Sequence, residues 1–161
     1  MITILTTGGT IEGLDYVGDK KIHKTNVSIA DFLKAAKVEF QYNIESVFKK
    51  DSRDINDDDR ERLRLKIEET KTRKILITHG TFTMAATAKY LGKLNLEKII
   101  VLVGSFILGS SEKTDAPFNL GYAISSLQFL NPGVYIAMNG KIFLWNNVSK
   151  NLETNKFERN E

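Results

Sequence analysis

The feature that most constrains the fold is a transition that occurs twice, in which an apolar segment runs into glycine and then threonine. The first transition lies within Ile2 to Ile11, where the apolar segment is followed by Gly8-Gly9-Thr10. The second transition lies within Lys74 to Met84, where the apolar segment is followed by His79-Gly80-Thr81 and then by a helical pattern. Both have the composition of buried strands, and the glycines leave room for a ligand to approach the main chain. In a parallel sheet, both threonines would lie beyond the carboxyl ends of their strands.

Helix-start signals occur in three other places. Ser28 with Asp31 three residues later predicts a short capping box, and Asn56 or Asp57 predicts the cap of a charged helix. Asp115-Ala116-Pro117 combines an acidic cap with an early proline. Thr81 also has an ordinary interpretation, as the N-cap of the helix that follows it.

The strand signals complete an α/β pattern. Val38 to Ile44 alternates and predicts the second strand, and Lys98 to Val103 is the most apolar segment. Asn139-Gly140 predicts a hairpin between the last two strands, near the carboxyl end of the chain. The order predicts an open, mostly parallel, doubly wound sheet of the flavodoxin or Rossmann-like kind, with helices on both faces and a C-terminal β-hairpin.

Composition excludes several classes of function. The 161 residues suit a single domain over 1–161, and 42% hydrophobic residues can fill its core. The absence of cysteine excludes thiolate chemistry, and His23 and His79 lack metal-ligand spacing, so we expect chemistry without a metal. The formal charge of +3 comes from interspersed charges, so we expect no nucleic-acid partner. Without a membrane-spanning run or a secretory signal, we expect a cytoplasmic protein with no membrane contact.

The loop after Thr10 carries one aromatic residue, Tyr16. Its side chain is either a ring lying on the surface or a lid residue that closes over Thr10.

Four stretches in order resemble the N-terminal domain of the bacterial-type L-asparaginases, and a fifth resembles the last active-site segment of that family. They are Thr7-Gly8-Gly9-Thr10-Ile11, Asp51-Ser52-Arg53-Asp54, Thr78-His79-Gly80-Thr81-Phe82-Thr83-Met84, Asp115-Ala116-Pro117-Phe118-Asn119-Leu120, and Met138-Asn139-Gly140 through Val148-Ser149-Lys150-Asn151. The resemblance extends from Thr7 to Lys150. It implies hydrolysis of L-asparagine to L-aspartate and ammonia without a metal or an organic cofactor.

The resemblance also implies roles for single residues. Thr10 matches the nucleophilic threonine and Tyr16 the tyrosine of a mobile loop. Thr81 and Lys150 match a second threonine and the lysine that acts with it. Ser52 and Arg53 match substrate-binding positions, of which the second is usually glutamine. Backbone N–H groups of the two glycine turns, at Gly9 and Gly80, would form an oxyanion hole.

One position departs from the family pattern. Phe82 follows Thr81 where the family has an aspartate that binds the substrate's ammonium group. The aromatic ring of Phe82 is a weak substitute for that carboxylate, because a cation–π contact with the ammonium group contributes only about 1 kcal/mol to binding. The ammonium group must then meet Asp51, Asp54 or an acid of a partner subunit, or the substrate differs.

Two alternatives therefore remain at this stage. Besides the amidohydrolase, these are a non-catalytic or altered-substrate relative that binds an amino acid or amide, and a nucleotide- or phosphate-binding α/β domain that uses the first glycine turn. The family's C-terminal domain, which completes a neighbouring active site, is expected to be absent here. We therefore expect a homo-oligomer, at least a dimer.

Overall fold

The computed structural model describes residues 1–13 and 27–160. The strands are β1 (Ile2–Gly8), β2 (Tyr42–Lys50), β3 (Lys74–Thr78), β4 (Ile99–Val103), β5 (Gly133–Met138), β6 (Lys141–Leu144), β7 (Ser149–Asn151) and β8 (Lys156–Glu158). The helices are α1 (Ile29–Ala35), α2 (Asp57–Glu69), α3 (Met84–Gly92) and α4 (Ala116–Ser126). Short 3-10 turns cover Thr10–Glu12 and Ser52–Asp54.

The main sheet has six strands in the order β2-β1-β3-β4-β5-β6. All neighbours pair in parallel except β5 and β6, which form an antiparallel hairpin. The hairpin turn has positive φ at both central residues, 48° at Asn139 and 79° at Gly140, as an Asn-Gly turn of this length requires. The predicted α/β class, parallel sheet and hairpin are confirmed.

Helices cover both faces of the sheet. The consecutive β3 residues Ile75, Leu76 and Ile77 are all 0% exposed, and neighbours in a strand point to opposite faces. Helices α2 and α3 contact each other, whereas Leu33 of α1 and Leu120 of α4 line one shared cavity. The sheet therefore lies between two helical layers, as predicted for a doubly wound fold.

The connection through α4 differs from the usual handedness. Helices α1 and α4 lie on the same side of the sheet, yet the chain steps from β1 to β2 in one direction and from β4 to β5 in the other. Two crossovers over one face in opposite directions have opposite hands, although parallel crossovers are almost always right-handed. This arrangement brings the loop after β4 over the first glycine turn, where the N–H of Gly109 donates to the Thr10 carbonyl at 3.2 Å.

The second strand lies later in the sequence than predicted. The alternating stretch at 38–44 predicts a strand there, but β2 begins at Tyr42 and continues to Lys50. Val38 and Phe40 still pack against the core from outside the strand. The register is fixed by β1, because Ile2 pairs with Tyr42 and Gly8 with Lys50. The pairing partner, rather than the local alternation, therefore decides where this edge strand begins.

Two predicted helix starts are confirmed. The Ser28 hydroxyl accepts from the Asp31 N–H at 3.3 Å, while the Asp31 carboxylate accepts from the Ser28 N–H at 2.9 Å. Asn56 and Asp59 form the same reciprocal pair at the start of α2. Asp59 also accepts a hydrogen bond from the Lys50 ammonium at 2.7 Å, which ties the end of β2 to α2.

The polar segment after the hairpin contains the antiparallel pair β7 and β8, which the sequence analysis does not predict. Phe157 of β8 is buried, and its ring lies 6.2 Å from that of Phe106 and 6.5 Å from that of Phe143 in β6, so these aromatic contacts hold the pair against the sheet. Within the described residues, no helix combines the length and the apolar character needed to cross a membrane.

Candidate active site

The two glycine turns lie in direct backbone contact. Gly9 has φ 86° and ψ −175°, a conformation open almost only to glycine. A Cβ atom at Gly9 would lie 2.6 Å from the backbone nitrogen of Gly80. The Thr7 hydroxyl donates to the Thr78 carbonyl at 2.8 Å, so β1 and β3 are joined just before their turns. These neighbouring strands are also where the chain reverses its direction across the sheet, the position at which open α/β sheets bind ligands.

Thr10 opens the 3-10 turn that follows Gly9. The Thr10 carbonyl accepts from the N–H of Gly13 at 3.0 Å and from that of Gly109 at 3.2 Å, which fixes its backbone. The residue is partly exposed. The turn therefore presents a threonine on a fixed main chain at the contact between the two glycine turns.

Thr81 and Lys150 are in direct contact. The Lys150 ammonium donates to the Thr81 hydroxyl oxygen at 2.9 Å, which leaves the hydroxyl proton available to another acceptor. Burial lowers the pKa of the Lys150 side chain from its ordinary value. The interpretation of Thr81 as an N-cap is wrong, because α3 begins at Met84 and the residue in the N-cap position is Thr83.

Two aromatic rings lie beside the same ammonium group. The Lys150 nitrogen is 5.7 Å from the ring centre of Phe82 and 5.4 Å from that of Phe106. Both distances fall within the range of a cation–π contact. Phe82 thus contacts the lysine of the site, and its expected place beside the substrate's ammonium group stays a prediction.

Ser52 is packed behind the second glycine turn and is 2% exposed. The Ser52 hydroxyl oxygen accepts from the N–H of Phe82 at 3.1 Å, and the Ser52 carbonyl accepts from the Thr83 hydroxyl at 2.6 Å. A Cβ atom at Gly80 would lie 2.7 Å from the Ser52 hydroxyl oxygen. Ser52 thus holds the Gly80–Thr83 turn in place, and its predicted contact with a substrate carboxylate stays a prediction.

Arg53 lies against an acid of its own turn. Its guanidinium Nε donates to Asp51 at 2.9 Å, and its backbone N–H donates to the same carboxylate oxygen at 2.8 Å. The Arg53 side chain is 48% exposed. Asp51, one of the acids considered for a substrate's ammonium group, is therefore already engaged by a cation. Tyr16 lies outside the described residues.

Sequence reasoning missed Glu12, which supports the first turn. Its carboxylate accepts from the N–H of Gly8 at 2.8 Å. Burial raises the pKa of Glu12, and the Gly8 hydrogen bond and the charge of Lys49 only partly oppose this. The sequence signal that could have identified Glu12 is its position directly after the apolar Ile11, because a carboxylate that is buried needs a hydrogen-bonding or oppositely charged partner.

A second missed feature links the start of α4 to the loop after β4 and to the β5–β6 turn. Asn119, which is 0% exposed, donates to the Gly104 carbonyl at 3.0 Å and to Asp115 at 2.9 Å, and it accepts from the Asn139 N–H at 3.0 Å. Asp115 stands at the N-cap position of α4, as predicted, but its carboxylate makes no capping hydrogen bond and instead accepts from the N–H of Phe106 at 3.1 Å. This network fixes the loop that carries Phe106.

His79 precedes the second turn and is fully buried. Its Nδ1–H donates to the Gly80 carbonyl at 2.7 Å. Burial lowers the pKa of His79 to about 4, so the ring is neutral near pH 7. Among residues 1–13 and 27–160, no three His, Cys, Asp or Glu side chains are grouped to hold a metal ion. The expectation of chemistry without metal or cofactor stays a prediction.

The chain is similar to known proteins in sequence and in fold. The model of the asparaginase N-terminal domain matches residues 1–159. The probable periplasmic L-asparaginase of Haemophilus influenzae is 34% identical over 95% of this chain and 47% of its own length. L-asparaginase 2 of Escherichia coli is 34% identical over 92% of this chain and 46% of its own length.

Solved structures give the same result. The thermostable L-asparaginase from Thermococcus kodakarensis superposes with a TM-score of 0.81 at 32% identity, over 98% of this chain and 50% of that one. The probable cytoplasmic L-asparaginase from Campylobacter jejuni superposes with a TM-score of 0.78 at 31% identity, over 92% of this chain and 47% of that one. The chain spans about half the length of the curated relatives it matches. Motifs, fold and the match over residues 1–159 agree that this chain belongs to the asparaginase family, as the counterpart of its N-terminal domain.

Proposed function

We propose that the protein is an amidohydrolase that converts L-asparagine to L-aspartate and ammonia through a threonyl ester on Thr10. The observation that supports this most is the Lys150–Thr81 hydrogen bond of 2.9 Å beside the packed glycine turns. It supplies a partly desolvated amine next to a hydroxyl, which is the pairing that threonine chemistry needs.

The first half of the proposed reaction forms the ester. The Thr10 hydroxyl oxygen bonds to the amide carbon and loses its proton, and the C–N bond then breaks as the nitrogen leaves as ammonia with that proton. Backbone N–H groups of the glycine turns stabilise the oxyanion, each worth roughly 3 kcal/mol. Tyr16, which lies outside the described residues, is proposed to relay the proton.

The second half hydrolyses the ester. With Lys150 in its neutral amine form, water attacks the acyl carbon while one of its protons passes through the Thr81 hydroxyl to the Lys150 amine. The ester bond then breaks, and the proton held by the pair moves to the Thr10 oxygen to return its hydroxyl. A lysine whose pKa is lowered by burial holds its proton less tightly and so serves this transfer better than an exposed lysine. Ser52 and Arg53 are proposed to hold the substrate's carboxylate, with Arg53 released from Asp51 on binding.

Three further properties belong to the same proposal. We propose that residues 1–161 form one domain, that a second copy of this chain completes the site, and that the protein is cytoplasmic. The relatives differ in compartment, since one is described as cytoplasmic and one as periplasmic. Sedimentation equilibrium checks the oligomer, for which at least a dimer is expected.

Ammonia release from L-asparagine by the purified chain tests the reaction. We expect turnover in the wild type and a loss of at least about a hundredfold in Thr10→Ala, because the nucleophile is removed. Thr154→Ala is the matched control, since it makes the same substitution at an exposed threonine of the β7–β8 turn. Saturable binding of asparagine without ammonia release by any variant would instead favour a non-catalytic binding protein.

A further inference from the structure

A cleft opens between the β7–β8 pair and the β5–β6 hairpin of the main sheet. Its volume is about 490 Å³, and small-molecule sites typically have volumes of about 300–1,000 Å³. Residues 154–157 of the β7–β8 turn and β8 line one side, and the hairpin lines the other through residues that include Met138 and Lys141. The described lining contains neither Thr81 nor Lys150, so the cleft is separate from that pair.

The floor of this cleft is apolar and aromatic. Met138 and Phe157 are buried, and the Phe106 ring, which also lines the cleft, lies 6.2 Å from that of Phe157. Aromatic groups pack against each other at centroid distances of about 4.5–7 Å, in offset or tilted arrangements. The floor therefore suits a flat apolar group.

The rim of the cleft carries positive charge. Lys141 and Lys156 are the charged residues of the described lining, both are exposed, and neither forms an ion pair within the described part of the chain. Of the neighbouring acids, Asp115 accepts from the Asn139 side chain at 3.2 Å, and Glu158 accepts from a hydroxyl of the β7–β8 turn at 3.3 Å. Neither acid lines the cleft. A cleft with charges of one sign attracts ligands of the opposite sign, so this one favours an anion.

An occupant of this cleft would contact two neighbours of Lys150. Phe106 lines the cleft, and its ring centre lies 5.4 Å from the Lys150 nitrogen. Phe157 also lines the cleft and is the register partner of Lys150 in the β7–β8 pair. A pair of short strands has little stability of its own, so its contacts with the sheet decide whether it stays docked. A ligand that touches both sides of the cleft therefore adds contacts that hold the lysine-bearing pair in place.

We propose that this cleft binds a small carboxylate that carries a flat apolar group. The apolar group packs on the rings of Phe106 and Phe157, and the carboxylate lies at the rim beside Lys141 and Lys156. The bound ligand fastens the β7–β8 pair, and with it Lys150, to the main sheet. The site is separate from the proposed amide site, so its existence does not depend on the amidohydrolase proposal.

Calorimetric titration of the purified chain with phenylacetate tests the binding. We expect a dissociation constant below about 1 mM. Acetate lacks the ring, benzyl alcohol lacks the charge and benzylamine reverses it, so each should bind at least about tenfold more weakly. Equal affinity for the four probes overturns the proposal. Displacement of phenylacetate by L-aspartate also overturns it, because the probe would then occupy the amide site.

Lysine variants locate the bound probe. Lys141→Gln and Lys156→Gln should each weaken phenylacetate binding by at least about fivefold, because each removes a charged partner of the carboxylate. Lys89→Gln is the matched control, since Lys89 is an exposed lysine of α3 that does not line this cleft. Circular dichroism verifies that the variants fold. Unchanged affinity in both cleft variants, or an equal loss in the control, overturns the proposal.

Amide hydrogen exchange tests the fastening of the β7–β8 pair without any measurement of turnover. Saturating phenylacetate should slow exchange in β7 and β8 by at least about fivefold, because the pair then opens less often. Exchange in β2, at the opposite edge of the sheet, should change less. Exchange in β7 and β8 that the bound probe does not slow overturns the proposal.

Discussion

Lys150 combines properties that an exposed lysine lacks. It is partly buried, its pKa is lowered by that burial, and its hydrogen bond reaches Thr81 directly. The rings of Phe82 and Phe106 stabilise the charged form of its side chain. The group can therefore change protonation state during a reaction more readily than an ion-paired lysine.

Lys150→Arg tests this property. Arginine keeps the positive charge but stays protonated, so it cannot accept a proton from water. We expect ammonia release to fall by roughly a hundredfold, the scale of a lost general base, with the melting temperature nearly unchanged. An arginine variant that retains more than about a tenth of the activity would mean that only the charge matters. The ammonia assay and thermal unfolding measure the two quantities.

The roles of single residues were predictable only in part. Motif order predicts Thr10, Thr81 and Lys150 as candidate site residues, and the structure brings Lys150 into contact with Thr81, whereas the proposed roles of all three stay predictions. Phe106 and Asn119 act through contacts between loops far apart in sequence, which no local pattern encodes. Glu12 shows the same limit, since its partner is a main-chain N–H of a turn whose shape the sequence does not specify.

At the scale of elements, the site depends on the contact between the turns after β1 and β3. Gly9 lies so close to the backbone of Gly80 that no side chain fits between them. The two strand ends therefore approach each other as bare main chain. Any atom added there separates the two threonines that follow.

Gly9→Ala is expected to lower the free energy of unfolding by about 2–4 kcal/mol, because it adds both backbone strain and a close contact. Activity should be lost as well. The matched control is Gly121→Ala, since Gly121 lies in α4 with nothing within 4 Å of an added Cβ. Alanine there should stabilise the helix by up to about 1 kcal/mol. Urea unfolding of both variants checks the pair, and equal effects would refute the importance of the turn contact.

Elements with strong local signals were predicted well and those without were not. The Ser28–Asp31 box and the Asn139-Gly140 turn carry their own hydrogen-bonding or backbone requirements, and both formed as expected. The start of β2 was misplaced because an edge strand takes its register from β1. The β7–β8 pair was missed because its polar residues show no apolar alternation.

At the scale of the whole molecule, the central β3 segment carries a titratable group into the core. His79 is 0% exposed and has a pKa of about 4, below the ordinary 6.5. Above pH 6.5 the ring is neutral in both the folded and the unfolded chain. Between pH 6.5 and 4 the unfolded chain binds a proton that the folded chain does not, so acid favours unfolding.

The free energy of unfolding should therefore fall by about 3 kcal/mol through His79 as the pH drops from 6.5 to 4. His79→Asn, which does not titrate, should lack this component. Glu12 contributes to the pH dependence with the opposite sign, because its raised pKa stabilises the fold at low pH. Glu12 is present in both proteins, so the difference between their free energies of unfolding reports the contribution of His79. Urea midpoints at several pH values measure it, and parallel curves for the two proteins would contradict the expectation.

The bond between Lys150 and Thr81 joins residues 69 positions apart. During synthesis on the ribosome, both glycine turns emerge long before the lysine does. A nascent chain can therefore complete its central parallel strands before the Thr81–Lys150 pair forms. Under the proposed function, amide hydrolysis requires this pair, so the order of translation would delay the activity until the strand that bears the lysine has docked on the sheet.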